Sequence, residues 1–237
     1  MIKRDSHRAD HLLHNNGLAS KLKDIILGGQ DGVVNVLGLV LGVASATNDP
    51  KIVIIAGIAS TFAESISMGA VAYTSTQAAQ AYYKSLEQKE LHEIQKHPTE
   101  ERAELKYIFA KKGLKGKLLA KIVERISSSK RRWLLTMMSE ELNMSAPITT
   151  ALSSALIVFA ASMIGSIIPI IPFFLMPIVP AMIASVIVCS IVLFLTGAYK
   201  AKLTIGTWWK SGLAMMLIGM ISALAGYAIG SLLGVAL

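Results

Sequence analysis

Six side chains in the middle of the chain have types and spacings that could bind a metal ion. Two pairs of glutamates are three residues apart, and a methionine precedes a glutamate by four, so each pair lies on one face of a helix. The six residues are Glu90, Glu93, Glu101, Glu104, Met137 and Glu141. If they converge, they supply carboxylate oxygens and a thioether sulfur, which suit a borderline divalent metal ion.

The same residues also fit ordinary helix structure. Glu101 falls in an expected first helical turn, where acids interact favourably with the helix dipole. Glutamates mixed with lysines are typical of solvated helix faces, and Met137 would fit a hydrophobic core. Spacing alone therefore leaves both interpretations open.

Two further acids lie inside long apolar segments. Asp31 falls within "LGGQDGVVNVLGLVLGVASA" (27–46), and Glu64 lies in the next apolar segment. At the centre of a membrane helix an acid costs about 3 kcal/mol, so such residues usually face a bundle interior, a cavity or an ion path. Asn35 is one turn after Asp31, and Met68 is one turn after Glu64, so each pair shares a helix face. The alternative is a structural hydrogen bond from a protonated acid to a neighbouring helix.

These residues must be positioned by helices, and five apolar segments have the length of a membrane crossing, roughly 20 residues. The segments are approximately 26–46, 52–76, 148–168, 178–198 and 211–236. A hydrophobic content of 53% and a mean hydropathy of +0.56 agree with membrane insertion. We therefore expect an all-α membrane protein with five transmembrane helices and a small helical cytoplasmic metal-binding domain between helices 2 and 3. The expected divisions are an N-terminal cytoplasmic segment (1–24), helices 1–2 (25–81), the metal-binding domain (82–147) and helices 3–5 (148–237).

Small residues predict where these helices approach one another. Glycines recur at four-residue spacing in the first and last apolar segments, which allows close packing of helix backbones. They are Gly28, Gly32, Gly38 and Gly42, and then Gly226, Gly230 and Gly234. The proline-rich stretch 169–180 predicts a tight turn, and 199–210 predicts a polar loop whose two tryptophans suit a membrane interface.

The basic residues are expected to lie almost entirely on one side of the membrane. With five spans, 22 of the 23 Lys and Arg residues fall on one side, and only Lys51 falls on the other. This positive-inside pattern predicts that the N-terminus and 82–147 are cytoplasmic and that the C-terminus is outside. The net charge of +8 therefore reflects topology, and no nucleic-acid motif or aromatic platform accompanies it. No secretory signal peptide is visible, and the single cysteine, Cys189, excludes an intrachain disulfide.

The segment 82–147 is too charged for a membrane and is expected to form helices. The second membrane helix continues to Pro98, which breaks it. Thr99 is the expected N-cap of the next helix, and Gly113 ends it. Two further helical stretches, 114–126 and 131–144, follow.

Three places in the sequence resemble the vacuolar iron transporter family (VIT/CCC type) over about residues 18–237. Two are "DGVVNVLGLVLGVA" and "AGIASTFAESISMGAVAY", in the first and second membrane helices. The third is a pattern in the middle segment: Glu-x-x-Glu-Ile, a proline, Glu-x-x-Glu, and later Trp-x-x-x-Met-Met-x-x-Glu. It is matched by Glu90, Glu93-Ile94, Pro98, Glu101, Glu104, Trp133, Met137-Met138 and Glu141.

The resemblance implies a homodimer that exports Fe²⁺, and often Mn²⁺ or other divalent metals, from the cytosol in exchange for protons. It implies that the six residues of the middle segment capture metal and that Asp31 and Met68 line a path between the protomers. No prosthetic group is expected. Plant members of the family place their second-helix carboxylate at the position of Ser60, whereas this chain has Glu64 one turn later on the same face. We assign Glu64 to that role.

These residues suggest a mechanism in which protons and metal ions compete for the same carboxylates. A carboxylate in a low-dielectric surrounding holds its proton, a divalent cation displaces that proton, and a proton arriving from the other side expels the metal. A membrane-anchored metal sensor or store without transport is the alternative function. An enzyme is not expected, because the chain has no nucleophile motif, no Gly-rich phosphate loop and no histidine cluster. The expected location is the cell membrane in a prokaryote, the preferred assignment, or a vacuolar-type membrane in a eukaryote.

Overall fold

The chain is helical throughout its described part. The computed structural model describes the backbone of residues 3–147, 149–203 and 206–236, and the side chains of 20–147, 149–202 and 206–234. No strand occurs within these ranges. The helices of the described part are α1 (Lys3–Thr47), α2 (Pro50–Lys96), α3 (Pro98–Lys111), α4 (Gly116–Ser127), α5 (Lys130–Glu140), α6 (Ala151–Ile167), α7 (Ile171–Leu175), α8 (Ile178–Leu203) and α9 (Trp208–Ala236). Part of the loop expected at 199–210, residues 204 and 205, lies outside the described residues.

The chain divides into two compact units, and the first contains the long apolar helices. This unit comprises Met1–Thr74 and Thr149–Leu237. Among the described residues, four helical segments are long and apolar enough to cross a membrane. They are Ser20–Thr47, Pro50–Lys96, Ile178–Lys202 and Trp208–Gly234. The protein is therefore a multi-pass integral membrane protein. The expected segment 148–168 corresponds to the shorter apolar helix Ala151–Ile167.

Glycines hold α1 close to both α6 and α9, as their spacing predicts. A methyl group placed on Gly28 or Gly32 would collide with backbone carbonyl oxygens of α6. A methyl group on Gly226 would collide with the carbonyl oxygen of Gly38, and one on Gly230 with that of Gly42. Backbone contact of this kind lets apolar helices associate without a hydrophobic driving force between them.

Valines and larger apolar residues fill the interior of the first unit, while its outer surface is also apolar. One buried cluster joins Val36 and Val40 of α1 to Val53 of α2 and Phe173 of α7. On the outside, large side chains such as Leu232 are mostly exposed. Exposed apolar residues on helices of this length form a surface suited to lipid.

The second unit, Ser75–Ile148, contains the end of α2 together with α3, α4 and α5. Its core is a cluster of buried apolar side chains around Leu105 and Met138. Gly113 has a φ of +92°, a left-handed conformation that glycine adopts readily, and the chain leaves α3 there as expected.

Four local predictions were wrong. The stretch 199–210 is not a loop over its whole length, because α8 continues to Leu203 and α9 begins at Trp208. Thr99 is not an N-cap, because Pro98, whose fixed φ suits a first turn, begins α3 and His97 occupies the cap. The stretch 169–180 is not a simple turn, because it contains the five-residue helix α7 with Pro172 in its first turn. The helix expected over 131–144 ends at Glu140, and Asn143 takes a positive φ of 52° just beyond.

Candidate metal centres

Three glutamates converge in the second unit. Glu90 lies near the end of α2, Glu101 in the first turn of α3, and Glu141 at the C-cap of α5. Each offers one carboxylate oxygen, and these three oxygens lie within 4.8 Å of one another. The spacing is small enough for a single cation to contact all three.

The apolar core fixes the helices that carry these acids. Ile94 is one turn after Glu90, and Leu105 is one turn after Glu101; both are buried in the same cluster. Trp133 and Met137 join that cluster from α5, and Arg102 lies over the Trp133 ring at 5.6 Å from its centroid. The carboxylates are therefore held together by packing rather than by attraction between them.

The electrostatics of the three acids favour a bound cation. Glu90 is only 2% exposed and Glu101 only 6%. Burial, reinforced by the charges of Glu141 and Glu101, raises the pKa of Glu90 to about 8. Burial also raises the pKa of Glu101 and that of Glu141, and in both the charge of Glu104 adds to the effect. One oxygen of Glu90 and one of Glu101 are buried without a hydrogen-bond partner, an arrangement that costs free energy until a proton or cation arrives.

The other three predicted ligands lie around this cluster. Glu93 is partly exposed, with Lys89 at 3.7 Å, and its charge acts on all three central carboxylates. Glu104 is exposed at the rim. Met137 is fully buried and belongs to the apolar core, and its helical spacing places it one turn before Glu141 on α5.

A second group of polar side chains lies in the first unit. The Asn35 amide nitrogen on α1 donates a hydrogen bond of 2.9 Å to Oε1 of Glu64 on α2. The Asn35 amide also interacts with Asp31, one turn earlier on α1, and the Asp31 charge acts on Glu64. The second oxygen of Glu64 is buried without a hydrogen-bond partner. The structure thus brings the two predicted acids together, with an amide between them.

The other residues considered for the membrane path lie on α2. Met68 is half-buried one turn after Glu64, and Ser60 is half-buried one turn before it. Helical spacing therefore extends the polar face of α2 over two turns around Glu64.

Sequence reasoning missed two polar contacts between helices of the first unit. The Ser154 hydroxyl of α6 donates a 2.6 Å hydrogen bond to Asp24, and both residues are buried. Ser65 of α2 donates to Ser162 of α6 at 3.4 Å. Ser154, Ser162 and Ser166, spaced eight and four residues apart in α6, were the available signal, because they form one polar stripe on an apolar helix.

Long apolar helices that carry paired carboxylates, joined to a unit with a buried acid cluster, are the features of a membrane transporter for cations. Comparison with known sequences gives the family. The profile of the VIT family matches residues 22–231, and the chain belongs to this family. Its members are transporters rather than enzymes, and in them iron is cargo and not a prosthetic group.

Curated relatives cover nearly the whole chain. The chain is 31% identical to vacuolar iron transporter 1 of Eucalyptus grandis over 94% of its length and 89% of the relative. It is 30% identical to vacuolar iron transporter 1 of Arabidopsis thaliana, over 93% of the chain and 89% of the relative. It is also 30% identical to the vacuolar iron transporter of Plasmodium berghei, over 97% of the chain and 86% of the relative. The resemblance inferred from the motifs is confirmed.

Proposed function

We propose that this protein exports Fe²⁺ from the cytosol in exchange for protons, along a path between the two protomers of a homodimer. Mn²⁺ and other borderline divalent metals are further substrates. The observation that carries the proposal is the pairing of Asp31 and Glu64 through Asn35 on two apolar helices. Relatives of nearly equal length named as iron transporters support iron as the substrate.

The exposure of this polar group supports a path at a dimer interface. Asn35 is exposed, and Asp31 and Glu64 are half-buried, on helices long and apolar enough to cross a membrane. Polar side chains within a bilayer face a protein interior or a water-filled cavity. A second copy of the chain would supply that cover and bring a second Asp31 to the path.

The acid cluster of the second unit would capture the metal before it enters the path. We assign this role to the three converging acids Glu90, Glu101 and Glu141, with Glu93, Glu104 and Met137 around them. Oxygen ligands alone would favour Mg²⁺ and Ca²⁺, whereas a thioether shifts the preference toward softer ions.

The proposed topology has five crossings. It counts α6 as the third, since its 17 residues reach the lower end of the range for a membrane helix. The N-terminus and 82–147 then face the cytosol, and the C-terminus lies outside, in agreement with the placement of 22 of 23 basic residues on one side. The cell membrane is the proposed location in a prokaryote, and a vacuolar-type membrane in a eukaryote.

Fe²⁺ flux into proteoliposomes tests the path. Asp31→Ala should abolish uptake while dimers still form and the second unit still binds Fe²⁺, because only the membrane site loses a ligand. Asp49→Asn is the matched control, since Asp49 lies at the turn before α2 and accepts a hydrogen bond from the Lys51 amide. Wild-type uptake by Asp31→Ala would refute the path. Fe²⁺ binding without flux in the wild-type protein would instead favour a membrane-anchored sensor or store.

A further inference from the structure

We propose that Asn35 is a positioning residue of the membrane site: its amide holds the Glu64 carboxylate beside Asp31, in the orientation that receives the metal ion. The inference rests on the proposed function, because it assigns a role within the same path. It concerns a side chain that is neither an acid nor a sulfur ligand and that acts through Glu64.

The geometry of the amide suits this role. Asn35 lies one turn after Asp31 on α1 and donates to Oε1 of Glu64 on α2 at 2.9 Å. An amide nitrogen carries two hydrogens, so it can serve two carboxylates at once, and the Asn35 amide also interacts with the Asp31 carboxylate. The other oxygen of Glu64 is buried without a partner. One oxygen of Glu64 is thus fixed by the amide, and the other remains free for a cation.

The chemistry of the bridge fits a site for a doubly charged ion. The charge of Asp31 acts on Glu64, and a hydrogen-bond donor shared by two carboxylates offsets the repulsion between them. A lysine or arginine in place of Asn35 would hold them together but would cancel a negative charge. A neutral amide keeps both carboxylates together and keeps both charges available for the metal.

The position of Asn35 argues against a role in packing within the chain. Its side chain is exposed, whereas the neighbouring Val36 and Leu37 fill the buried interior of the unit. Removing the Asn35 amide therefore leaves the core intact. The expected consequence is a defect in metal affinity rather than in folding.

Fe²⁺ transport into proteoliposomes, measured over a range of Fe²⁺ concentrations, tests the inference. The variants are Asn35→Leu, which keeps the approximate size of the side chain, Asn35→Ala, Glu64→Gln and the Asn35→Leu/Glu64→Gln double variant. Thr196→Val is the control, because it removes a hydroxyl bonded within α8. Loss of a hydrogen bond to a charged group should raise the half-saturating Fe²⁺ concentration roughly 10- to 100-fold, with a smaller change in maximal rate.

The double variant distinguishes positioning from an independent effect. If Asn35 acts through Glu64, the double variant should transport no worse than Glu64→Gln alone. Additive losses would overturn the inference. The inference would also be overturned if both Asn35 variants had half-saturating Fe²⁺ concentrations within twofold of wild type while Glu64→Gln was impaired. That result would not affect the proposed path. Loss of maximal rate with dissociated dimers would assign Asn35 a structural role instead. Wild-type transport by Glu64→Gln would overturn both the role of Asn35 and the place of Glu64 in the path.

Discussion

The buried carboxylate of Glu90 makes metal capture by the second unit dependent on pH. Its pKa of about 8 lies well above the ordinary value of 4.5. At pH 7 roughly one Glu90 side chain in ten is ionised, and at pH 6 about one in a hundred. A metal ion must displace this proton, so the apparent affinity for Fe²⁺ should fall about tenfold from pH 7 to pH 6.

The sign and the range of this dependence follow from the raised pKa. The proton competes with the metal below pH 8, so affinity rises with pH up to that value and then levels off. The pKa of Glu101 and that of Glu141 are raised too, so the fall below pH 7 is at least tenfold per unit. Close to one proton should leave Glu90 per metal bound at pH 7.

Calorimetric titration of the full-length protein in detergent with Fe²⁺, without oxygen, measures both quantities. The Asp31→Ala background removes a ligand of the proposed membrane site, and two buffers of different ionisation enthalpy give the number of protons released. Glu90→Gln should weaken binding and flatten the pH dependence. Glu124→Gln, an exposed acid of α4, should behave as wild type. Equal affinity at pH 6 and pH 8, or binding without proton release at pH 7, would refute the reasoning.

Three further predictions concern stability and selectivity. Glu90→Gln should stabilise the metal-free second unit at pH 7 by about 3 kcal/mol, because the folded state holds a proton that the unfolded state releases above pH 4.5. Hydrogen exchange of peptides around residue 90, with EDTA, measures this, and faster exchange in the variant would contradict it. Gly226→Ala should destabilise the first unit by about 1–3 kcal/mol, since the added methyl meets a backbone carbonyl of α1. In thermal unfolding in detergent, Gly226→Ala should have a lower melting temperature than Gly206→Ala, because the atom nearest to a methyl group at Gly206 is 3.6 Å away. Equal melting temperatures would contradict close packing. Met137→Leu should leave folding intact but lower the affinity for Fe²⁺ relative to Mg²⁺, and unchanged selectivity in competition titrations would remove Met137 from the ligands.

The fold was predictable where local chemistry dictates it. Apolar segment length locates the long membrane helices, Pro98 and Gly113 mark the limits of α3, and the glycine spacing in α1 and α9 predicts their contact. The start of α3 was misplaced by two residues because proline occupies a first turn as readily as it ends a helix. The helix α7 was missed for the same reason, since its proline was interpreted only as a breaker.

The candidate sites were predictable in composition but not in geometry. Spacing identifies faces of single helices, and it leaves open how α2, α3 and α5 rotate toward one another. The convergence of Glu90, Glu101 and Glu141 depends on tertiary packing around Leu105. The bond from Asn35 to Glu64 likewise depends on the relative rotation of α1 and α2, which no pattern within one helix specifies.

Simultaneous measurement of Fe²⁺ and proton flux tests the central claim most directly. Wild-type proteoliposomes loaded with a pH-sensitive dye and given an acidic interior should take up Fe²⁺ and release protons in a fixed ratio. Fe²⁺ uptake should stop when the pH gradient is dissipated. Fe²⁺ accumulation without proton movement, or no flux at all from protein that binds Fe²⁺, would contradict proton-coupled export.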